Sequence, residues 1–232
     1  MKINRLLSRV FVSGLMIFNS LNLLTMYNNY NNNYNNHYNN NYRYDEASTV
    51  VWTSWDNNRT KWVLLARESG GRDAGTWDCF GGGRNQGESN PLITATRELY
   101  EETAHALLDY NRLSAKLSNR HDTHVIRDTI NGTKTVTYIV NFNNKTLTNF
   151  THNFYKALRS KGLPRVCKEK DSLAWVKYDD LRWAINNHGN SSYNVYVTGN
   201  IINRHDTSRR GQIKGQRLKL RPFFVKKMHR KL

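Results

Sequence analysis

The sequence predicts a layered α/β (α+β) domain, and three observations carry that expectation. Short runs rich in Val, Leu and Trp recur through the middle of the chain, one segment between them places apolar residues at helical spacing, and the two kinds of element do not alternate regularly. No internal repeat is visible, which argues against a repeating architecture. The 232 residues suit one domain with appendages.

Taken in order, Thr49–Thr53 and Trp62–Arg67 read as strands, with Asp56-Asn57-Asn58 supplying turn chemistry between them. Glu68–Gly75 is a Gly-rich loop. Trp77–Phe80 is a short strand, which Gly81-Gly82-Gly83 is expected to end. Leu92, Ala95, Thr96, Leu99, Thr103, Ala106 and Leu107 then share one helical face. Pro91 suits the first turn of that helix and Asn90 its N-cap. Asn131-Gly132, between His124–Ile130 and Thr133–Phe142, favours a type I′ hairpin turn. Leu147–Gly162 reads as helix or loop, Ala174–Lys177 as a strand and Asp179–Asn187 as a short helix.

The flanks differ in composition. Within residues 1–26, Lys2, Arg5 and Arg9 precede an apolar run from Val10 to Leu24, the pattern of a signal peptide or weak membrane anchor; an amphipathic, untranslocated leader is the plainer alternative. Residues 27–45 are almost wholly Asn and Tyr and read as a low-complexity linker. Residues 46–207 carry the folded pattern. Residues 208–232 hold ten Lys and Arg and no acid, and read as a basic C-terminal tail. The compartment stays open between soluble intracellular and membrane- or particle-associated, as does the oligomeric state. Only two cysteines, Cys79 and Cys167, are present, which excludes a disulfide framework or a Cys-rich zinc site and favours free thiols. The net charge of +17 favours polyanionic partners: nucleic acid through the tail, phosphorylated metabolites, or an anionic membrane.

The chemistry concentrates on the predicted helix. Glu98, Glu101 and Glu102 sit at i, i+3 and i+4, on one face. Like charges at that spacing weaken a helix unless a cation compensates. A hard divalent ion with carboxylate ligands does so, and Arg97 can neutralise a neighbour; a plain solvated face is the competing explanation. The preceding loop adds weight, because Gly81-Gly82-Gly83 and Gly87 let the chain fold Glu88 back toward Arg97. Trp52, Trp55 and Trp77 are expected in the core rather than around a purine, and Phe223 and Phe224 are expected to pack rather than stack on bases.

The stretch GGRNQGESNPLITATRELYEETA resembles the Nudix box, in which Gly, five residues, Glu and seven residues precede Arg-Glu-apolar-x-Glu-Glu-x-Gly-apolar. Gly82, Glu88, Arg97, Glu98, Leu99, Glu101 and Glu102 match by type, and Trp175-Val176-x-Tyr178-Asp179-Asp180-Leu181 also resembles the family's later segment. Two departures stand out. One extra residue lies between Glu88 and Arg97, and Pro91 places it at Ser89-Asn90 in the loop. Ala104 replaces the motif's glycine, thought to relieve packing near the helix end, and His105 follows in place of an aliphatic residue.

The resemblance implies an α/β/α sandwich with a mixed β-sheet over 46–207. It also implies a pyrophosphohydrolase cleaving a diphosphate linkage with Mg2+ or Mn2+. Glu98 and Glu102 would bind the metal, Glu101 would be a ligand or near-ligand, and Arg97 would pair with Glu88. The general base in relatives lies a few residues before a Trp-containing strand, which makes Glu169 the candidate and Asp171 the second. Combined with the charge, the expected substrates are capped RNA, dinucleoside polyphosphates or diphosphoinositol polyphosphates. The inserted residue and Ala104 keep a second expectation open, a catalytically weakened module that binds RNA or nucleotide.

Overall fold

The computed structural model describes residues 46–142, 144–188, 194–202 and 212–232, all within one compact unit. The leader and the Asn/Tyr linker lie outside the described residues. The strands are β1 (Glu46–Trp55), β2 (Lys61–Glu68), β3 (Trp77–Asp78), β4 (Phe80–Gly83), β5 (Thr123–Ile130), β6 (Thr133–Asn141), β7 (Lys170–Lys177), β8 (Tyr196–Ile202) and β9 (Gln212–Lys219). The helices are α1 (Pro91–Glu102), α2 (Tyr110–Ser118), α3 (Asn144–Leu158), α4 (Tyr178–His188) and α5 (Pro222–Met228), with a 3-10 turn at Arg165–Lys168. The sheet runs β5-β6-β1-β2-β7-β8-β9, with β3 added to β2 and β4 to β1. β1 and β6 are parallel and the other pairs antiparallel, so the sheet is mixed.

Strand alternation sorts the core onto two faces. Val50, Trp52, Leu64 and Ala66 face one way and pack with Ala95 and Leu99 of α1, Leu113 and Leu117 of α2, and Phe150 and Phe154 of α3. Val51, Val63 and Leu65 face the other way and pack with Leu181 and Ile185 of α4 and Phe224, Val225 and Met228 of α5. The result is the expected α/β/α sandwich. Trp52 anchors the first face, its ring 4.5 Å from Phe142 and 4.9 Å from Phe150. Such aromatic contacts add about 0.5–1.5 kcal/mol each beyond area burial. Trp77 joins the second face, whereas Trp55 is exposed.

The hairpin forms at Asn131-Gly132, both with positive φ (53° and 82°). Four expectations are corrected. Gly81-Gly82-Gly83 does not end a strand but forms most of β4, opposite Thr49, Ser48 and Ala47. A Cβ on Gly81 would come within 2.4 Å of the Ser48 carbonyl oxygen, so glycine is what lets β4 approach β1. The helix predicted to reach Leu107 stops at Glu102, because Ala104 and His105 turn left-handed (φ 53° and 59°). β7 begins four residues before the predicted Ala174, at Lys170. Finally, the described part of the basic tail is folded: β9 pairs with β8 and α5 buries Phe224, Val225 and Met228. Helix α2, capped by Asp109 accepting from the Arg112 N–H at 3.0 Å, and strand β8 had not been singled out.

Candidate active site

The local sequence of α1 builds the site. Asn90 is the N-cap, its side-chain oxygen accepting from the Leu92 and Ile93 N–H groups at 3.0 and 3.2 Å. The helix therefore starts at Pro91, and the extra residue falls in the loop, leaving the helical face of glutamates in register. That face looks inward: Glu98, Glu101 and Glu102 are all buried, against the edge formed by β4.

Arg97 is the hub. Its Nε donates to Glu88 Oε1 at 2.6 Å and its Nη2 to the Gly83 carbonyl at 2.8 Å. Nη1 lies 2.7 Å from Glu98 Oε1 and 3.1 Å from Glu101 Oε2. Glu88 Oε2 also accepts from the Asn85 N–H and the Thr94 hydroxyl, both at 2.8 Å, so the loop is folded back as the glycines allow. Burial works against the charge on Arg97, but Glu98, Glu88 and Glu101 hold its pKa above the usual value. Burial pushes Glu98 up to about 7, with Arg97 pulling it down and Glu101 lifting it again. Gly82 lies against Glu98 so closely that a Cβ would sit 2.4 Å from Oε1.

Glu102 is held separately. Its Oε2 accepts the Gly81 N–H at 2.6 Å, and its Oε1 lies 3.1 Å from Lys170 Nζ. Lys170 is buried and also bonds Glu68. Burial opposes its charge, but Glu102, Asp78 and Glu68 keep it protonated. Glu68 in turn meets Arg221, which also reaches Asp73 and Asp78. Sequence reasoning missed Lys170, Glu68 and Arg221. Only the polar start of β7, ahead of an apolar run, signalled Lys170, and no local pattern signalled Glu68 or Arg221.

Glu169 lies partly exposed between the 3-10 turn and β7, its carbonyl accepting the Ser69 N–H at 2.8 Å. Its charge raises the proton affinity of both Glu98 and Glu102. Asp171 points elsewhere, paired with Arg67 at 2.8 and 3.1 Å. His105 stacks on Tyr100 with centroids 4.1 Å apart, and its Nε2 lies 3.3 Å from Cys167 Sγ. Cys79 and Cys167 are both buried and free.

The donor set suits a hard divalent ion in kind: carboxylates of Glu98, Glu101 and Glu102 around a wall that lacks a Cβ at Gly82. Among the described residues, no three His, Cys, Asp or Glu groups converge closely enough to hold an ion in this arrangement. The cause is visible: Arg97 draws Glu98 and Glu101, while Lys170 and the Gly81 N–H draw Glu102.

A mixed sheet lies between two helical layers, with an Arg–Glu cluster at a glycine strand, which defines an α/β/α sandwich with a charged site at β4. The NUDIX domain family model matches residues 46–196, and the chain belongs to the Nudix hydrolase family. Its fold is similar to a C. elegans Ap4A hydrolase binary complex at 16% identity, covering 58% of this chain and 81% of that one, with a TM-score of 0.36. An Enterococcus faecalis MutT/nudix family protein matches at 13% identity, over 86% and 63% of the two chains, with a TM-score of 0.39. The M. smegmatis Nudix hydrolase RenU matches at 24% identity, over 43% and 63%, with a TM-score of 0.31. The chain thus spans less than two thirds of the length of these last two. No curated protein matches the chain.

Proposed function

We propose that this Nudix hydrolase is a metal-dependent pyrophosphohydrolase acting on a polyanionic diphosphate: capped RNA, a dinucleoside polyphosphate or a diphosphoinositol polyphosphate. The observation that carries the reading is the buried Glu98–Glu101–Glu102 face, locked by Arg97 to Glu88 and the Gly83 carbonyl. Glu98, Glu101 and Glu102 would hold Mg2+ or Mn2+, which when bound supplies phosphoryl charge stabilisation and a more acidic water. Arg97 fixes the helix to the loop through Glu88 and the Gly83 carbonyl, which holds the glutamate face against β4. Glu169, whose charge is felt at Glu98 and Glu102, would accept the proton of the attacking water. Exposed Lys214, Arg217, Lys226 and Arg230 on the C-terminal elements would attract a charged substrate.

The test is product release by the full chain on a panel of diphosphate substrates with Mg2+ or Mn2+, beside Glu102→Gln and a metal-free sample. Turnover lost in both controls supports the proposal. A second reading, a nucleotide- or RNA-binding module with weakened catalysis, is favoured by one observation: each carboxylate is already counter-charged within the protein. A folded protein that binds RNA but turns over nothing on the panel would select it.

A further inference from the structure

Lys170 is 1% exposed, so its ammonium depends on internal partners. It has two. Glu102 Oε1 lies 3.1 Å away, and Glu68 accepts a hydrogen bond from the same Nζ. The other oxygen of Glu102 is taken by the Gly81 N–H. Both oxygens of Glu102 are therefore engaged from inside the protein, and a cation arriving at Glu102 meets the positive charge of Lys170 at Oε1.

That charge has a second partner in place. Glu68 already shares Lys170, and Arg221 Nη1 holds Glu68 at 3.3 Å and Asp78 at 3.2 Å. Arg221 is itself braced by Asp73 at 2.8 Å. Arg221 sits between β9 and α5, beyond the segment matched by the family model. Around the site the carboxylates of Glu68, Glu88, Glu98, Glu101, Glu102 and Glu169 outnumber the cations Arg97, Lys170 and Arg221, which leaves an acidic excess for a divalent ion.

We propose that Lys170 is an internal competitor for the divalent ion at Glu102, shared between Glu102 and Glu68, with Arg221 holding Glu68 in place. This rests on the metal-site proposal above and adds a positioning residue to it. Removing the ammonium leaves Glu68 and Glu102 as two neighbouring carboxylates and strengthens the site. Neutralising Glu68 instead leaves Lys170 with Glu102 as its one direct carboxylate partner and weakens the site. The two changes act in opposite directions, which a merely structural role would not produce.

The experiment follows free Mn2+ by electron paramagnetic resonance while the full chain is titrated, with circular-dichroism melting alongside. Wild type, Lys170→Met, Glu68→Gln and Glu98→Gln are compared. Changes beside metal ligands shift affinity by about 10–100-fold. The expectation is therefore Mn2+ binding about tenfold tighter in Lys170→Met and about tenfold weaker in Glu68→Gln. Unchanged or weaker binding by a folded Lys170→Met, while wild type binds and Glu98→Gln does not, overturns the competition and leaves the metal site standing. Should Lys170→Met not fold, unchanged or tighter binding by Glu68→Gln overturns it. No Mn2+ uptake by wild type or by either charge variant overturns the metal-site proposal as well.

Discussion

Gly82→Ala tests the geometry of the site without touching a charged group. The added Cβ would lie 2.4 Å from Glu98 Oε1, 2.7 Å from its Cδ and 2.9 Å from Oε2. An ordinary contact starts at 3.4 Å, so the Glu98 carboxylate must retreat by about 1 Å. It cannot do so freely, because Arg97 Nη1 holds it at 2.7 Å and it is buried. Overpacking of this kind costs about 1–3 kcal/mol, and a 1 Å misplacement in a reacting constellation costs about 100-fold in rate. Gly81→Ala is the contrast. There the Cβ would meet backbone, 2.4 Å from the Ser48 oxygen and 2.7 Å from Thr49 Cα, at φ 152°. That change should open the β1–β4 pairing and destabilise the fold more than Gly82→Ala does. Urea denaturation and turnover on the best substrate measure the two effects. A Gly82→Ala protein with wild-type stability and wild-type turnover would refute the reasoning, because Glu98 would then not be held where Gly82 requires it.

Arg97→Ala should cost about 3–5 kcal/mol in urea denaturation, since it removes the counter-charge of Glu88, Glu98 and Glu101 in a buried site; a loss under about 1 kcal/mol would mean that these carboxylates escape to water. The raised pKa of Glu98 sets a pH dependence: its contribution to folding is complete below about 4.5, the unfolded value, and is lost as pH rises through about 7. The melting temperature of metal-free protein should therefore fall across that window, and Glu98→Gln should flatten the fall; a rise across it would contradict the assignment. Deleting residues 208–232 should abolish cooperative unfolding. Leu218, Leu220, Phe224, Val225 and Met228 are all buried, and at about 1.5–3 kcal/mol each their loss rivals a domain stability of about 5–15 kcal/mol. A truncated chain melting like the full one would restore the view of this segment as a tail.

What the sequence made legible was local. The strands β1 and β2, the Asn131-Gly132 turn, the Asn90 cap and the Arg97–Glu88 pair all depend on neighbours a few residues away, and each appears where the pattern places it. Ala104 is an instructive departure. Its position demands a left-handed backbone, which glycine adopts freely and alanine at about 1–2 kcal/mol, so the motif's glycine serves conformation here rather than packing.

The rest was hidden by one assumption, that charge marks the surface. Lys170, Asp171 and Ser172 made the start of β7 look like loop, yet Lys170 is buried on Glu68 and Glu102 and Asp171 is covered by Arg67. The C-terminal segment looked like a tail because its ten bases outweighed Phe223 and Phe224 and masked the spacing of its aliphatic residues. Leu218 and Leu220 alternate as a strand requires, and Phe224 and Met228 are a helical turn apart behind Pro222. Arg221 and Lys227 then find acids and hydroxyls contributed by β2, β3 and β1. Arg97 answers Glu88, Glu98 and Glu101 from the same helix and its loop, whereas the counter-charges of Glu68 and Glu102, Lys170 and Arg221, come from distant segments. Pairing across such distances is invisible to local periodicity, and it decides both where the domain ends and which cations stand beside Glu68 and Glu102.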